Sequence, residues 1–354
     1  MRRECKRITV RGVGIGGGER VTVQSMTNSD TADRAATLAQ IKRLEQCGCD
    51  IVRFTVNSLD AVKNIPYYSE NTSLPLVADI HFDYKLAVES AAAGINKIRI
   101  NPGNIGGDDR VRKVVNACRS AGIPIRVGVN GGSLEKEILA KYGAPTAEAL
   151  AESALENIKR LERFDFDDIV VSAKSSDVRV MINANRIIAS RCNYPLHLGV
   201  TEAGALRGGT VKGAIGIGAL LADGIGDTVR MSLSADIAAE VKAARDVLRA
   251  VGIGGGVNLI SCPTCGRCRV DLIEKARSLE EKLAGIRTDR TVNVALMGCI
   301  VNGPGEASGA DLGCACGDGD ALLFVRGSAV GRISESEIED VLFREAEKLA
   351  AEKV

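Results

Sequence analysis

Short runs of apolar, β-branched residues recur along the chain, with amphipathic segments between them. Eight such runs predict β-strands, at 21–27, 51–56, 76–82, 97–103, 124–130, 168–174, 195–201 and 227–233. Their starts are about 29 residues apart on average, the length of one strand with its following helix. The intervening segments, such as 31–47 with apolar Leu38, Ile41 and Leu44, predict helices long enough for right-handed crossovers. Eight such units predict an α/β fold, a (β/α)8 TIM-type barrel, rather than an open doubly wound sheet.

A glycine-rich stretch, Gly252-Ile-Gly-Gly-Gly-Val257, follows the last amphipathic segment of this repeating pattern at 235–251. Such a stretch is typical of a linker. The sequence therefore predicts two domains: a substrate-binding barrel at 1–251 and a smaller α+β module at 252–354. The smaller module holds six of the eleven cysteines, which makes it the candidate metal domain.

Polar side chains collect where the predicted barrel strands end. In TIM barrels the chemistry lies at the C-terminal ends of the strands, and side chains two residues apart share a face. Both histidines of the protein fall at these ends. The candidate substrate-binding residues are Arg53, Asp79, His81, Arg99, Asn101, Arg126, Asn130, Lys174, His197, Arg230 and Ser232. Glu202, just after the seventh strand, is a second acid beside Asp79.

Five cations and two acids in this set leave a surplus of about three positive charges at one mouth of the barrel. Inward-facing polar groups are costly unless they are paired or meet a ligand, and guanidinium forks match phosphate oxygens. The residues could instead be solvated rim groups or ion pairs that seal the barrel. The recurrence over seven strands favours a site for a phosphate or diphosphate ester.

Composition narrows the function classes further. Lys+Arg 46 against Asp+Glu 45 leaves a net charge of +1, and aromatic residues make up only 3%, which disfavours a dedicated nucleic-acid binder. Eleven cysteines, an odd number, argue against a complete disulfide framework. The N-terminal residues lack the pattern of a secretory signal, and no run of about 18 apolar residues occurs. We therefore expect a cytoplasmic protein that binds neither nucleic acid nor membrane.

Three cysteines of the smaller module have the spacing of a metal site. Cys262 and Cys265 form a C-x₂-C pair, and Cys299 follows at a distance. Zinc would need four ligands, which Cys314 or Cys316 could complete, whereas an iron–sulfur cluster would need these three thiolates and one further ligand. A redox dithiol is a third interpretation, less favoured because Cys268 follows the pair. Spacing alone leaves zinc and iron–sulfur equally open.

Two motifs of the smaller module resemble those of the 4-hydroxy-3-methylbut-2-enyl diphosphate synthase family of the non-mevalonate isoprenoid pathway. They are Cys262-Pro-Thr-Cys-Gly-Arg267 and Met297-Gly-Cys-Ile-Val-Asn-Gly-Pro-Gly-Glu306. Barrel segments resemble the same family, among them Val77-Ala-Asp-Ile-His-Phe82, Ile98-Arg-Ile-Asn-Pro-Gly-Asn104 and Arg126-Val-Gly-Val-Asn130. The resemblance covers nearly the whole chain in order and is to the short bacterial form of the family.

The resemblance implies an enzyme, an iron–sulfur oxidoreductase. The implied reaction is the reductive ring opening and dehydration of 2-C-methyl-D-erythritol 2,4-cyclodiphosphate with two electrons. It also implies a 4Fe-4S cluster held by Cys262, Cys265, Cys299 and Glu306, a flavodoxin or ferredoxin as electron donor, and a head-to-tail homodimer. Glu202 is the candidate proton donor for loss of the hydroxyl group. A zinc-dependent phosphosugar lyase and a zinc-stabilised phosphate-binding scaffold are the alternatives.

The chain departs from the pattern of the family at three thiols. Cys268 follows the first motif, and Cys314 and Cys316 stand where the family usually has small or aliphatic residues. A thiol at one of these positions could replace Glu306 as the fourth ligand. We expect Glu306 to hold that place, because the Asn-Gly-Pro-Gly-Glu turn matches the family.

Overall fold

The computed structural model describes residues 1–352 and divides the chain into two compact units, Met1–Val247 and Leu248–Val354. The strands of the first unit are β1 (Ile8–Val10), β2 (Val13–Ile15), β3 (Thr22–Met26), β4 (Ile51–Thr55), β5 (Leu76–Asp79), β6 (Lys97–Ile100), β7 (Ile125–Asn130), β8 (Ile169–Lys174), β9 (His197–Leu198) and β10 (Thr228–Val229). Strands β3 to β10 form one sheet of eight parallel strands.

At least one helix follows each of the eight strands of this sheet. They are α1 (Arg34–Gln46), α2 (Leu59–Lys63), α3 (Ile65–Glu70), α4 (Tyr84–Ala92), α5 (Pro102–Ile105), α6 (Asp108–Ala121), α7 (Lys136–Tyr142), α8 (Ala147–Glu162), α9 (Val178–Arg191), α10 (Leu206–Ala222) and α11 (Ile237–Ala250). Several of them begin where a capping side chain accepts hydrogen bonds from the first backbone N–H groups, as Asp33, Asp83, Thr146 and Asp177 do.

The sheet closes into a barrel. The order of its strands is β8-β7-β6-β5-β4-β3-β10-β9, and a parallel bridge between Val171 and Leu196 joins the two ends. The eight-stranded TIM-type barrel predicted from the sequence is therefore confirmed. Strands β9 and β10 each have two residues, fewer than the apolar runs around them, because only part of each run pairs with its neighbours.

The antiparallel hairpin of β1 and β2 forms an apolar cluster with the starts of two barrel strands. Val10 and Ile15 of the hairpin are buried against Ile51 of β4 and Val77 of β5. The hairpin thus plugs the N-terminal end of the barrel and leaves the C-terminal ends of the strands for chemistry. No helix among residues 1–352 is long and apolar enough to cross a membrane.

The second unit is a five-stranded mixed sheet with three helices. Its strands are β11 (Gly256–Ser261), β12 (Thr291–Met297), β13 (Leu312–Cys316), β14 (Asp320–Val325) and β15 (Ser328–Ser334), and its helices are α12 (Leu272–Leu283), α13 (Gly303–Gly309) and α14 (Ile338–Ala351). The first three strands are parallel and the last two antiparallel.

Alternate residues of this sheet face different helices. Leu296 and Cys314 belong to the cluster that packs against α12 and α14, whereas Met297 and Ala315 pack with Ala307 of α13 on the opposite face. The connection after β11 therefore runs to one face of the sheet, and the connection after β12 runs to the opposite face. Adjacent parallel strands whose connections diverge in this way open a crevice at their carboxyl ends, where open sheets bind their ligands.

Candidate functional site

Asp79, the last residue of β5, is a central carboxylate of the barrel interior. Its Oδ1 accepts a hydrogen bond from Arg99 Nη1 at 2.9 Å, and its Oδ2 lies 3.6 Å from Arg53 Nε. The exposed His81 approaches the same carboxylate, with Nε2 4.0 Å from Oδ2. Burial alone would raise the pKa of Asp79, but the two guanidinium groups outweigh it and hold that pKa far below its usual range. Asp79 is therefore ionised and anchors both arginines.

Arg99 spans two strands beyond its own. Its Nη1 lies 3.2 Å from His81 Nε2, while its Nη2 donates to the backbone oxygen of Gly128 on β7 at 3.1 Å. A Cβ atom at Gly128 would collide with the guanidinium group, so the strand needs glycine at this point. With its amide oxygen turned inward, Asn130 accepts from Arg99 Nη2 at 3.2 Å. These contacts fix the direction of the Arg99 fork.

Arg126 of β7 and Lys174 at the end of β8 are cations of a different kind. Both are nearly inaccessible, and Arg126 Nε and Nη1 have no hydrogen-bond partner among the described residues. Gly199 makes room for Lys174, because a Cβ atom there would lie 2.7 Å from Nζ. Burial, together with the charge of the neighbouring Arg53, lowers the pKa of both groups. Two buried cations with these surroundings are suited to receive an anion.

Glu240 is a second carboxylate among these cations. The sequence analysis did not find it, because it considered only residues at the ends of predicted strands. It reaches the barrel from helix α11 and is buried. Its Oε1 lies 3.1 Å from Arg230 Nη2 and accepts from the Leu233 N–H at 3.0 Å, while its Oε2 accepts from Ser25 Oγ at 3.0 Å. The only sequence signal for it was its place on the first turn of an amphipathic helix.

Three further candidate residues differ in how deeply they are buried. Asn101 is buried and caps the start of α5 by accepting the Gly103 N–H at 3.2 Å, and Ser232 is half-buried. Glu202 is exposed and has a left-handed backbone, with φ of 52°. Glu202 therefore stands at the solvent side of the barrel rather than among the buried charges.

His197 and Lys97 are fully buried inside the barrel. His197 Nδ1 lies 3.4 Å from Thr228 Oγ1, and its Nε2 has no partner in residues 1–352. Burial first, and then the nearby Arg126 and Lys174, lower the pKa of His197, so its ring is neutral. The strand-end reading missed Lys97, although it precedes Arg99 by two residues and so shares its face.

The barrel interior therefore carries a strong positive surplus. Its buried or half-buried basic side chains are Arg53, Lys97, Arg99, Arg126, Lys174 and Arg230, and its carboxylates are Asp79 and Glu240. Unpaired charge in a low-dielectric interior is costly, and a bound anion removes that cost. The arrangement can bind a compact, multiply charged anion.

In the second unit, three cysteines and one glutamate line a single cavity of about 400 Å³ at the carboxyl ends of β11 and β12. Cys262 and Cys265 lie on the loop after β11, Cys299 follows β12, and Glu306 lies on α13. Ile260, Pro263 and Met297 contribute to the wall of the same cavity. The four candidate ligands thus surround one space. No three His, Cys, Asp or Glu side chains of residues 1–352 lie close enough to share a single metal ion.

The surroundings of the Cys299 thiol favour its ionised form. Backbone N–H groups of Val301 and Asn302, and then of Gly303, point at its sulfur and lower its pKa. Thr264, between the other two cysteines, has a positive φ of 65°, which is rare for a β-branched residue and marks a constrained loop. Thiolates held by backbone N–H donors are suited to soft metal centres.

The three additional thiols do not line this cavity. Cys314 and Cys316 are buried on the face of β13 that packs against α12 and α14, whereas the cavity includes Met297 from the opposite face. Cys268 donates to the backbone oxygen of Val270 at 3.3 Å. Period-two alternation along β13 predicts from the sequence alone that Cys314 and Cys316 share one face of the strand.

Both units match models of one protein family. The GcpE TIM-barrel domain matches residues 5–245, and the GcpE protein C-terminal domain matches residues 258–348. The chain is 51% identical to the 4-hydroxy-3-methylbut-2-en-1-yl diphosphate synthase (flavodoxin) of Clostridium acetobutylicum, over 98% of this chain and 99% of the relative. It is 49% identical to the protein of the same name from Geobacter sulfurreducens, over the full length of both.

Two solved structures resemble this chain over about the length of its barrel. A dihydropteroate synthase from Xanthomonas albilineans superimposes with a TM-score of 0.50 at 18% identity, covering 70% of this chain and 98% of that protein. An N-acetylneuraminic acid synthetase from Leptospira borgpetersenii gives a TM-score of 0.51 at 11% identity, covering 71% and 92% of the two chains. At these identities the similarity concerns the fold only.

Proposed function

The chain belongs to the family of 4-hydroxy-3-methylbut-2-enyl diphosphate synthases, and from this premise we propose which of its residues perform the reaction of the family. The protein is an oxidoreductase of isoprenoid biosynthesis. It converts 2-C-methyl-D-erythritol 2,4-cyclodiphosphate to the linear 4-hydroxy-3-methylbut-2-enyl diphosphate with two electrons. The zinc-dependent lyase and the zinc-stabilised scaffold have no support from the relatives.

We propose that the barrel domain, residues 1–251, binds the cyclic diphosphate. The buried Arg126, two of whose nitrogens have no hydrogen-bond partner among the described residues, and the buried Lys174 support this assignment, as does the arginine pair held by Asp79. The binding set is Arg53, Asp79, His81, Arg99, Asn101, Arg126, Asn130, Lys174, His197, Arg230 and Ser232. When the ring opens, the diphosphate is the leaving group at the reacting carbon. Fixed cations around it stabilise the charge that develops as the C–O bond breaks.

We propose that the second domain, residues 252–354, holds a 4Fe-4S cluster through Cys262, Cys265, Cys299 and Glu306. The donor set fits this group, because three thiols and a carboxylate surround one cavity of about 400 Å³. When bound, the cluster supplies the electrons one at a time, which side chains cannot do. The shared cavity of the three cysteines is the observation that carries the proposed function.

Loss of the substrate hydroxyl group as water needs a proton, and we propose Glu202 as its donor. The residue follows β9 at the end of the barrel where the substrate site is proposed, and it is accessible to solvent for reprotonation. Asp79 cannot play this part, because its arginine partners keep it ionised.

Glu202→Gln is expected to lower kcat by about a hundredfold or more while the affinity for the cyclic diphosphate changes little. The amide keeps the shape of the side chain but has no acidic proton to give. Single-turnover kinetics and calorimetric binding on the same preparation separate the two effects. Unchanged turnover would remove Glu202 from the mechanism.

The fourth ligand can be tested against the additional thiols. Glu306→Ala is expected to lose iron to a chelator about tenfold faster than the unmodified protein under anaerobic conditions. Cys316→Ala is the matched control and is expected to keep its iron, because Cys316 faces the helices α12 and α14. Faster iron loss from Cys316→Ala than from Glu306→Ala would mean that Cys316, and not Glu306, is the fourth ligand of the cluster.

The partners and the compartment follow from the same premise. We propose flavodoxin, which the names of the relatives state, or a ferredoxin as the electron donor. We further propose a head-to-tail homodimer and a cytoplasmic location, where a reducing environment protects a cluster of this kind.

Anaerobic turnover tests the proposed function as a whole. Holoenzyme purified without air is given the cyclic diphosphate and dithionite-reduced flavodoxin, and the linear diphosphate is followed over time. Iron and zinc are measured in the same sample. Formation of the linear product by an iron-containing protein supports the proposal, whereas a zinc-only protein without turnover would overturn it.

A further inference from the structure

Lys97 is a lysine without a partner at the floor of the barrel. Its side chain is fully buried, and its Nζ has no hydrogen-bond acceptor in residues 1–352. It opens strand β6 in register with Val77, which packs against the hairpin plug. Two residues later on the same face, Arg99 is paired with Asp79. Lys97 therefore lies one layer below the proposed substrate site, with the plug beneath it.

The surroundings of Lys97 are cationic. Arg126 from β7 and Arg53 from β4 act on its charge, and Lys97 in turn acts on His197 from β9. Arg53 and Arg126 in turn interact with Asp79, Arg99 and Lys174, which together with His197 complete the set of charged and titratable groups in this part of the barrel. The one carboxylate of this set, Asp79, is already shared by Arg99 and Arg53. No carboxylate remains to stabilise an ammonium group at Lys97.

Among these cations a lysine gives up its proton more readily than an arginine. The guanidinium group is planar, delocalised and weakly hydrated, and it remains charged when buried. Burial, followed by the charges of Arg126 and Arg53, lowers the pKa of Lys97 well below its usual value. The pKa of the second buried lysine, Lys174, is lowered by the same causes. Lys97 is the more deeply buried of the two, with 0% of its surface exposed against 6%, and its Nζ has no partner among the described residues. The free barrel thus relieves part of its internal repulsion at Lys97, while the arginines keep their charge.

We propose that Lys97, which lies below the substrate site, is a neutral amine in the free barrel and takes one proton from solvent when the diphosphate binds above it. The incoming negative charge replaces the missing counter-ion and favours the ammonium form. The proton returns to solvent when the product leaves. The inference rests on the proposed binding of the cyclic diphosphate in this barrel.

The ionisation state of the substrate allows proton uptake by the protein to be measured without a contribution from the ligand. Each phosphorus of a cyclic diphosphate carries a single, strongly acidic hydroxyl group, unlike a phosphate monoester, whose second ionisation has a pKa of about 6. The ligand is therefore fully ionised near neutral pH and neither gains nor releases a proton. Any proton taken up on binding goes to the protein, and the apparent affinity falls as pH rises above the pKa of Lys97 in the free barrel.

Calorimetry measures the proton directly. The cyclic diphosphate is titrated into anaerobic holoenzyme without reductant, at about pH 8, in buffers of different protonation enthalpy. The dependence of the binding heat on the buffer gives the number of protons taken up. Lys97→Met is expected to bind about tenfold more weakly and to take up about one proton fewer. The same change is expected to raise the melting temperature of the free protein, because it removes a buried polar group without a partner.

Two further variants make the outcome decisive. Lys97→Arg carries a permanent charge and is expected to bind the substrate without the extra proton. Lys85→Met, at an exposed position of α4, is the control and is expected to match the unmodified protein. Equal proton uptake by the unmodified protein and by Lys97→Met would overturn the proposal. A complete lack of binding by the unmodified protein would instead overturn the proposed substrate of the barrel.

Discussion

Cys299→Ser is expected to leave the purified protein with little iron and to lower turnover at least about a hundredfold, since the loss of an outer-shell partner alone costs 10- to 100-fold in metal affinity. The Cys299 sulfur receives N–H groups from the turn that begins α13, so the thiolate is stabilised before any metal arrives. A serine hydroxyl in the same place remains protonated and is a hard ligand. Iron content, visible absorbance and single-turnover rate are the measurements.

Cys268→Ser is the control for this experiment. Cys268 lies close to Cys265 in sequence, but its thiol donates to the Val270 oxygen and does not line the cavity. This variant is expected to keep its iron and its turnover. If Cys268→Ser loses iron while Cys299→Ser retains it, the assignment of the cluster ligands in the second domain is wrong.

Asp79→Asn is expected to be the most damaging change in the barrel. Breaking a buried ion pair by removing one partner costs about 3–5 kcal/mol, because the remaining charges stay buried without compensation. Here one carboxylate serves both Arg53 and Arg99. We expect the free energy of unfolding to fall by about this amount, and substrate affinity to fall as the two arginines lose their positions. Chemical denaturation and calorimetry measure the two losses.

The dependence on pH gives a second signature of Asp79. Its pKa is lower in the folded protein than in the unfolded chain, so its stabilising contribution is complete above the unfolded value near 4 and is lost as pH falls toward the folded value. Asp79→Asn is therefore expected to flatten the acid limb of the stability curve. Asp109→Asn, at an exposed i,i+3 pair with Arg112 on α6, is the control and is expected to leave that limb unchanged. Equal acid limbs in the unmodified protein and in Asp79→Asn would contradict the central role of this carboxylate.

The barrel was accessible to sequence reasoning because its repeat is local. Apolar runs and amphipathic segments alternate with a constant period, and each run needs only its own residues to be recognised. The buried cations could be found in the same way, since a charged residue in an otherwise apolar run stands out, as Arg126 does between Ile125 and Val127.

The sequence analysis missed two features of the site, Glu240 for a physical reason and Lys97 because only the carboxyl ends of the strands were searched. Glu240 reaches Arg230 from the helix after the last strand, and only the three-dimensional path of α11 brings the two together. Lys97 begins its strand rather than ending it, so a search confined to the carboxyl ends passes over it. Contacts across the barrel depend on the stagger of its strands, which hydrophobic periodicity does not report.

The ring of strands is completed by its first and last members, since β3 pairs with β10 and Thr22 lies opposite Thr228. Parallel pairing between such distant segments is slow, because a long loop must close before any contact forms. During synthesis on the ribosome, the ring can close only after residue 229 has emerged. Burying the cations of the barrel in an interior that has not yet closed would be costly, so we expect their dehydration to coincide with closure, late in folding.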